Sequence, residues 1–324
     1  MTDKAPWVDY RPEIKVLDCT IRDGGLMNNH LFEDEQVSSV YHACVEAGID
    51  FMEIGYKADK NIFAQDEYGQ WKHCDEDNVR RIIGDNDTPL KISCMADAEK
   101  TDYKNDILPK EQSVIDVIRV ATYINQIPIA VDMINDAHDK GYEVHVNLMA
   151  LSMVKDNELD EALEIFVESP ATVLAIVDSF GSILPEQIDA YCKRFLAATE
   201  GTGKEVAIHA HNNLQLGFAN TIQAIMAGCT RIDATMNGLG RGAGNCPMEL
   251  LLGFLRNPKF KLRPVLKCIE EHFIPMREKV EWGPMIPYLI TAHFNQHPRS
   301  AIQLIEGGDK DNITDFYDHF NENY

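Results

Sequence analysis

The sequence contains no Cys-x-x-Cys pair, although it has eight cysteines. That spacing marks redox dithiols and zinc ribbons, so neither is expected. Most of the thiols sit in apolar stretches (Cys44, Cys94, Cys192, Cys229), which suits reduced cysteine in a cytoplasmic protein better than a disulfide framework. No apolar run approaches the roughly 18 residues needed to cross a membrane, and no membrane partner is expected. The opening Met1-Thr-Asp-Lys-Ala-Pro6 lacks the basic-then-apolar order of a secretory signal. Positive charge is scarce: 30 Lys and Arg stand against 52 Asp and Glu, a net charge of −22. Such a surface repels phosphate backbones, so nucleic acid is not an expected partner either. No strand candidate is followed by Gly-x-Gly-x-x-Gly with an acid downstream, which argues against an open dinucleotide-binding sheet.

What is present is a rhythm. With 324 residues, 45% of them apolar, the chain can build one barrel of about 250 residues plus an appendage. Strands are expected near 14–21, 49–55, 90–94, 114–120, 143–148, 172–177, 205–211 and 231–235. Helices are expected between them, near 33–47, 76–84, 126–139, 157–168, 185–199, 215–227 and 247–255. The best marked is 185–199, where Pro185 suits a first turn and Ile188, Tyr191, Cys192, Phe195 and Leu196 form one stripe. The stretch 56–78 is polar and aromatic without a period, and reads as a long loop running into the helix near 76. Eight strands alternating with helices predict a parallel (β/α)8 TIM barrel over residues 1–257. From 258 the rhythm stops. Pro258, Pro264, Pro275, Pro284, Pro287 and Pro298 break residues 258–324 into short pieces, read as a helical C-terminal extension. Its aromatic end (Phe316, Tyr317, Phe320, Tyr324) packs either on the barrel or on a second copy in a homo-oligomer.

Several polar residues fall where barrel strands end. Counting by twos along the first strand, Asp18, Thr20 and Arg22 share a row that turns from apolar to charged toward a mouth. In Val206-Ala-Ile-His-Ala-His-Asn-Asn213, His209 and His211 point to the same face. Two imidazoles so spaced can meet one divalent ion at roughly 2.0–2.2 Å, or can be two satisfied strand-end histidines. Glu53 ends the second strand, as a general base or as half of an ion pair. Tyr288 either projects into the mouth or is buried in a tail helix, the latter being favoured; His293 and His297 are assigned to that tail. His145 reads as a core histidine.

Four motifs in order carry a resemblance: Asp18-Cys-Thr-Ile-Arg-Asp-Gly-Gly25, Asp178-Ser-Phe-Gly-Ser-Ile-Leu-Pro185, His209-Ala-His-Asn-Asn213, and Asn237-Gly-Leu-Gly-Arg-Gly-Ala-Gly-Asn245. Together they resemble the metal-dependent (β/α)8 lyase and aldolase family that includes hydroxymethylglutaryl-CoA lyase and 4-hydroxy-2-oxovalerate aldolase, with the aldolase branch nearer. The resemblance implies that Asp23, His209 and His211 hold a divalent metal, with Asn245 as a fourth ligand. Mn²⁺ or Mg²⁺ is favoured, and Zn²⁺ or Co²⁺ fits the same ligands. It implies that Arg22 stabilises an enolate oxygen and that the substrates are a 2-oxo acid and an aldehyde. Two features depart from the family. Leu26 stands where the oxovalerate aldolases have a catalytic histidine, with His30 nearby in sequence. The glycine-rich loop lacks the cysteine that the acyl-CoA lyases carry before the asparagine. The reaction expected is aldol cleavage releasing pyruvate. An acyl-CoA-dependent synthase and a non-catalytic metal-binding barrel acting as an interaction module are the alternatives.

Overall fold

Short apolar, β-branched runs leave a strand with two faces to bury, and a closed parallel barrel inside a ring of helices buries both. The computed structural model, which describes residues 11–322, has that form. The expectations for the opening residues and for Tyr324 lie outside the described residues. Strand β1 (Lys15–Asp18) leads into a one-turn helix α1 (Thr20–Gly24) and then α2 (Asp34–Ala47). The units that follow are β2 (Phe51–Tyr56) with α3 (Glu76–Ile83), and β3 (Lys91–Asp97) with the short α4 (Tyr103–Asp106). Next come β4 (Val117–Thr122) with α5 (Ile127–Asp139), β5 (Glu143–Leu148) with α6 (Asp156–Glu168), and β6 (Val173–Asp178) with α7 (Pro185–Thr199). The barrel ends with β7 (Glu205–Ala210), α8 (Gly217–Ala227), β8 (Arg231–Ala234) and α9 (Met248–Leu255). Neighbouring strands pair in sequence order, and β8 closes on β1 with Leu17 opposite Asp233 and Asp18 opposite Ala234.

The helices form where the sequence stripes them. In α2, Val37, Val40, Tyr41 and Cys44 are buried, and Gly48 ends the helix at φ +74°, a conformation open to glycine. In α7, Ile188, Cys192 and Phe195 are buried behind Pro185 in the first turn. All eight cysteines are free and buried; Cys192 and Cys229 lie with their sulfurs 3.5 Å apart as thiols.

Strand β1 is much shorter than the sequence pattern predicts. The chain leaves the sheet at Asp18 because its carboxylate accepts hydrogen bonds from the Thr20 N–H (3.1 Å) and the Thr20 hydroxyl (2.7 Å). A local side-chain bond of this kind competes with the ladder and turns the backbone. Arg22 and Asp23 therefore project from a helical turn, not from a strand row shared with Asp18.

After α9 the chain is helical, but not every proline ends a piece: Pro264 and Pro275 lie within one continuous helical run. Helix α10 (Leu262–Cys268) packs along α2 and continues through a π turn into α11 (Ile274–Met276). Helices α12 (Ile286–His293) and α13 (Arg299–Glu306) pack against Ala243 in the loop after β8, and α14 (Ile313–Asn321) packs on α12. Asn295 bonds the Ser152 carbonyl (3.1 Å) and the Ser182 hydroxyl (2.7 Å), and the Trp282 indole N–H donates to the Asn237 carbonyl (3.1 Å). The aromatic end packs within this chain: Phe320 stacks on Phe294, with ring centroids 5.7 Å apart.

Because Phe195 is fully buried between α7 and the sheet, Phe195→Ala is expected to lose about 3–5 kcal/mol of stability in urea unfolding. Met226→Ala, on the exposed face of α8, should stay within about 0.5 kcal/mol of wild type.

Candidate functional site

Ionisable groups inside an apolar barrel must be compensated, and six of them compensate one another in a closed ring. Arg22 donates from Nε to Glu53 Oε2 (2.6 Å), and Arg119 on β4 donates to the same oxygen (2.9 Å). Arg119 reaches on to Asp233 Oδ2 (2.5 Å), which meets His209 Nδ1 at 2.9 Å. His209 Nε2 lies 3.0 Å from Asp23 Oδ2, and Asp23 Oδ2 accepts from Arg22 Nη1 at 2.7 Å, closing the circuit. All six are buried. Burial works against ionising Asp233, but Arg119 and His209 hold it down at about 2. Burial likewise opposes the Asp23 charge, and the Arg22 guanidinium holds its carboxyl well below the usual range.

Above the ring, the glycine-rich loop folds back against the end of β7. His211 and Asn245 form an antiparallel bridge, and the Asn212 N–H donates to the Gly244 carbonyl (2.8 Å). Only a bare backbone fits this return. A Cβ on Gly240 would lie 1.7 Å from Asn245 Oδ1, and one on Gly244 would lie 1.9 Å from the Gly238 carbonyl oxygen. The Arg241 N–H donates to Asp23 Oδ1 (3.0 Å). Asn245 Nδ2 sits 3.1 Å from His209 Nε2 and 3.3 Å from Asp23 Oδ2. Asp23, His209, His211 and Asn245 are thus together.

The donor set suits a divalent ion. The ligand atoms of Asp23, His209 and His211 lie within 4.8 Å of one another. His211 Nδ1 is 3.0 Å from the Asp178 carbonyl, which assigns the proton to Nδ1. Its Nε2 is left bare, buried and without a hydrogen-bond partner, 3.7 Å from Asp23 Oδ1. Burial pulls His211 down to about 4, so the imidazole is neutral and free to ligate. Asp233 orients His209 in the same way from behind. A second group, Cys19 with His209 and Asp233, has the spacing but not the chemistry. Burial keeps the Cys19 thiol protonated, and Asp233 is already engaged by Arg119.

A cavity of about 240 Å³ opens beside Arg22, Asp23, His209 and His211. Leu26 lines it and packs in a cluster with Tyr56, Met95, Ala121 and Met149, which makes one wall apolar. His30 does not take the place of Leu26. It is 1% exposed, packed over Gly25 and edge-on to Tyr56, and it is not among the residues lining the cavity.

Other expected residues fall in different places. Glu53 lies beneath the cavity and spends one oxygen on two arginines, the ion-pair alternative. Tyr288 is buried in the tail against Ala243 and Ala301 and does not line the cavity. His145 faces the N-terminal end of the barrel, bonded to Glu143 (3.0 Å). His293 stays on α12. His297, assigned to the tail by its position after the prolines, instead reaches the mouth, because the loop after α12 brings it 3.1 Å from Arg241 Nη1.

Sequence reasoning missed Lys72, Asp97, Arg119, Asn147 and Asp233. A charge inside an apolar strand was the available signal for Arg119 and Asp233. Counting by twos to the end of β3 would have reached Asp97. Lys72 lay in a stretch without periodicity and gave no signal.

A protein-family model described as HMGL-like matches residues 13–268. A 4-hydroxy-2-oxovalerate aldolase from Pelotomaculum thermopropionicum is 30% identical over 256 residues, covering 78% of this chain and 72% of the relative. An oxaloacetate decarboxylase from Mycobacterium tuberculosis is 30% identical over 245 residues, 74% of this chain and 69% of the relative. The solved N-terminal domain of a candidate aldolase from Bacteroides vulgatus superposes with a TM-score of 0.80 at 30% identity, covering 90% of this chain and 96% of that one.

Elemental analysis after Mn²⁺ loading and gel filtration is expected to find one ion per chain in wild type and none in His209→Ala or His211→Ala. Gly240→Ala, which displaces Asn245, should weaken retention while circular dichroism still reports a folded barrel. Full retention in both histidine variants would place the ion elsewhere.

Proposed function

Because the chain belongs to the HMGL-like family, we propose that it is a divalent-metal-dependent carbon–carbon lyase that cleaves a bond beside a 2-oxo acid and releases pyruvate. The activities named for the two relatives, aldol cleavage and decarboxylation, both leave an enolate of a 2-oxo acid. Stabilising that enolate is the shared task.

Asp23, His209 and His211, with Asn245, would hold the ion. When bound, a divalent metal supplies Lewis-acid polarisation of the keto oxygen. The protein's own contribution centres on Arg22, the observation that carries this reading. Its Nε and Nη1 are fixed by Glu53 and Asp23, while Nη2 is buried and has no partner. A guanidinium held on two sides with its third nitrogen free beside a cavity is a preorganised donor for developing oxyanion charge. It needs no reorientation as the bond breaks. Glu53 acts through Arg22 as a positioning residue. Leu26 and its neighbours exclude water from one side of the cavity but offer no proton acceptor at the position where the related aldolases carry a histidine.

Enolate formation does not depend on the aldehyde, so it can be measured alone. The Mn²⁺-loaded protein is expected to exchange the methyl protons of pyruvate in D₂O, seen by NMR as loss of the methyl signal, and oxalate should inhibit the exchange. Arg22→Ala should slow it about 10²–10³-fold, the scale for losing one oxyanion donor. Exchange that persists unchanged in that variant would overturn the mechanism. An acyl-CoA synthase would instead release free thiol from acetyl-CoA, and a non-catalytic barrel would do neither. Turnover of 4-hydroxy-2-oxovalerate should be poor, since Leu26 replaces the histidine; rapid cleavage would show that the histidine is dispensable.

A further inference from the structure

Four cations line the cavity that the mechanism above does not use: Lys72, Lys100, Arg241 and Arg299. A single further carboxylate, Asp97, lies among them. This local balance reverses that of the chain, in which acidic residues outnumber basic ones 52 to 30.

Lys72 stands out. It is 5% exposed, on the turn after β2, and its Nζ lies 4.2 Å from the ring centroids of both Tyr56 and Phe63. The turn is pinned, its N–H donating to the Gly69 carbonyl (3.0 Å) and its carbonyl accepting from Ala58 (3.1 Å). The other buried cations of the barrel have acids: Arg22 has Glu53 and Asp23, Arg119 has Glu53 and Asp233, Arg231 has Glu205, and Lys57 has Glu76. Among the described residues Lys72 is in no ion pair. Burial pulls its ammonium down to about 8, with Asp97 opposing. Aromatic faces stabilise a cation but do not accept its N–H bonds as an anion does. A buried ammonium with no carboxylate at ion-pair distance, lining a substrate-sized cavity, is set to receive an acid from outside.

We propose that the half of the substrate that departs as the aldehyde carries a carboxylate, and that Lys72 binds it, with Lys100 and Arg299 at the exposed rim. The substrate is then a dicarboxylic 2-oxo acid. This rests on the 2-oxo acid reading above. Arg241 adds to the field, while its own guanidinium is engaged with the Ser179 carbonyl (2.8 Å) and His297.

Two five-carbon acids that differ only at the far end test the assignment: 2-oxopentanedioate and 2-oxopentanoate. Neither has the 4-hydroxyl needed for cleavage, so both serve as binding probes. In calorimetric titration of the Mn²⁺-loaded protein, the dicarboxylate is expected to bind about ten- to a hundredfold more tightly, the scale of one charged hydrogen bond. Added salt should reduce the preference. Lys72→Met should bring the two acids within about threefold of each other. Lys100→Met and Arg299→Met, which alter exposed side chains, should each reduce the preference by a smaller factor. Equal affinities in wild type, or an undiminished preference in Lys72→Met, would overturn the proposal. Pyruvate exchange reports on the other reading separately. Exchange without the preference removes the carboxylate site alone, whereas the preference without exchange upholds that site and removes the lyase.

Discussion

The ring of six ionisable groups beneath the mouth is the constraint on which the site depends. Buried ion pairs are a poor source of net stability, because removing charge from water costs about as much as pairing returns. What the ring supplies is geometry. Each shared carboxylate oxygen serves at least two partners, so Arg22 cannot swing without uncovering Glu53 and Asp23. His209 cannot change tautomer without losing Asp233. The groups that would meet a ligand are therefore positioned from behind by groups that never touch it.

The glycine-rich loop adds a second layer of order. By returning antiparallel to the end of β7, it sets Asn245 beside His211 and lays the Arg241 amide on Asp23. Its glycines are spaced by contact rather than by flexibility: two of them face atoms that leave no room for a side chain. The segment from Trp282 to Arg299 then reaches the loops after β5, β6 and β8, and His297 and Arg299 arrive at the cavity from outside the barrel proper.

Much of this was legible in the sequence, because barrel strands and helices announce themselves by local periodicity. Eight strands were expected and eight are present, with differences at their ends. The two histidine candidates were legible for a similar reason, since histidines two apart on a strand share a face, whereas Asp23 and Asn245 were implied only by the resemblance of their motifs. What could not be read depends on contacts between distant segments. Asp18 ends its strand through Thr20, a competition of local bonds that composition does not reveal. Lys72 has meaning only once Tyr56 and Phe63 close around it. His297 is placed by a loop after α12, and no pattern in the proline-rich extension predicts which of its residues comes to the mouth.

The ring also dictates when in the life of the chain the site comes into being. Its members run from residue 22 to residue 233, and Asn245 follows. A ribosome producing this chain from its first residue completes Arg22, Glu53 and Arg119 long before Asp233 emerges. Until β8 docks on β1, Arg119 has only Glu53, already shared with Arg22, and a barrel of seven strands keeps that charge without its second acid. Partial products thus carry an internal electrostatic fault that makes a compact imitation of the native state unfavourable. A translation product that stops before β8 lacks the acid that holds both Arg119 and His209 in the finished protein.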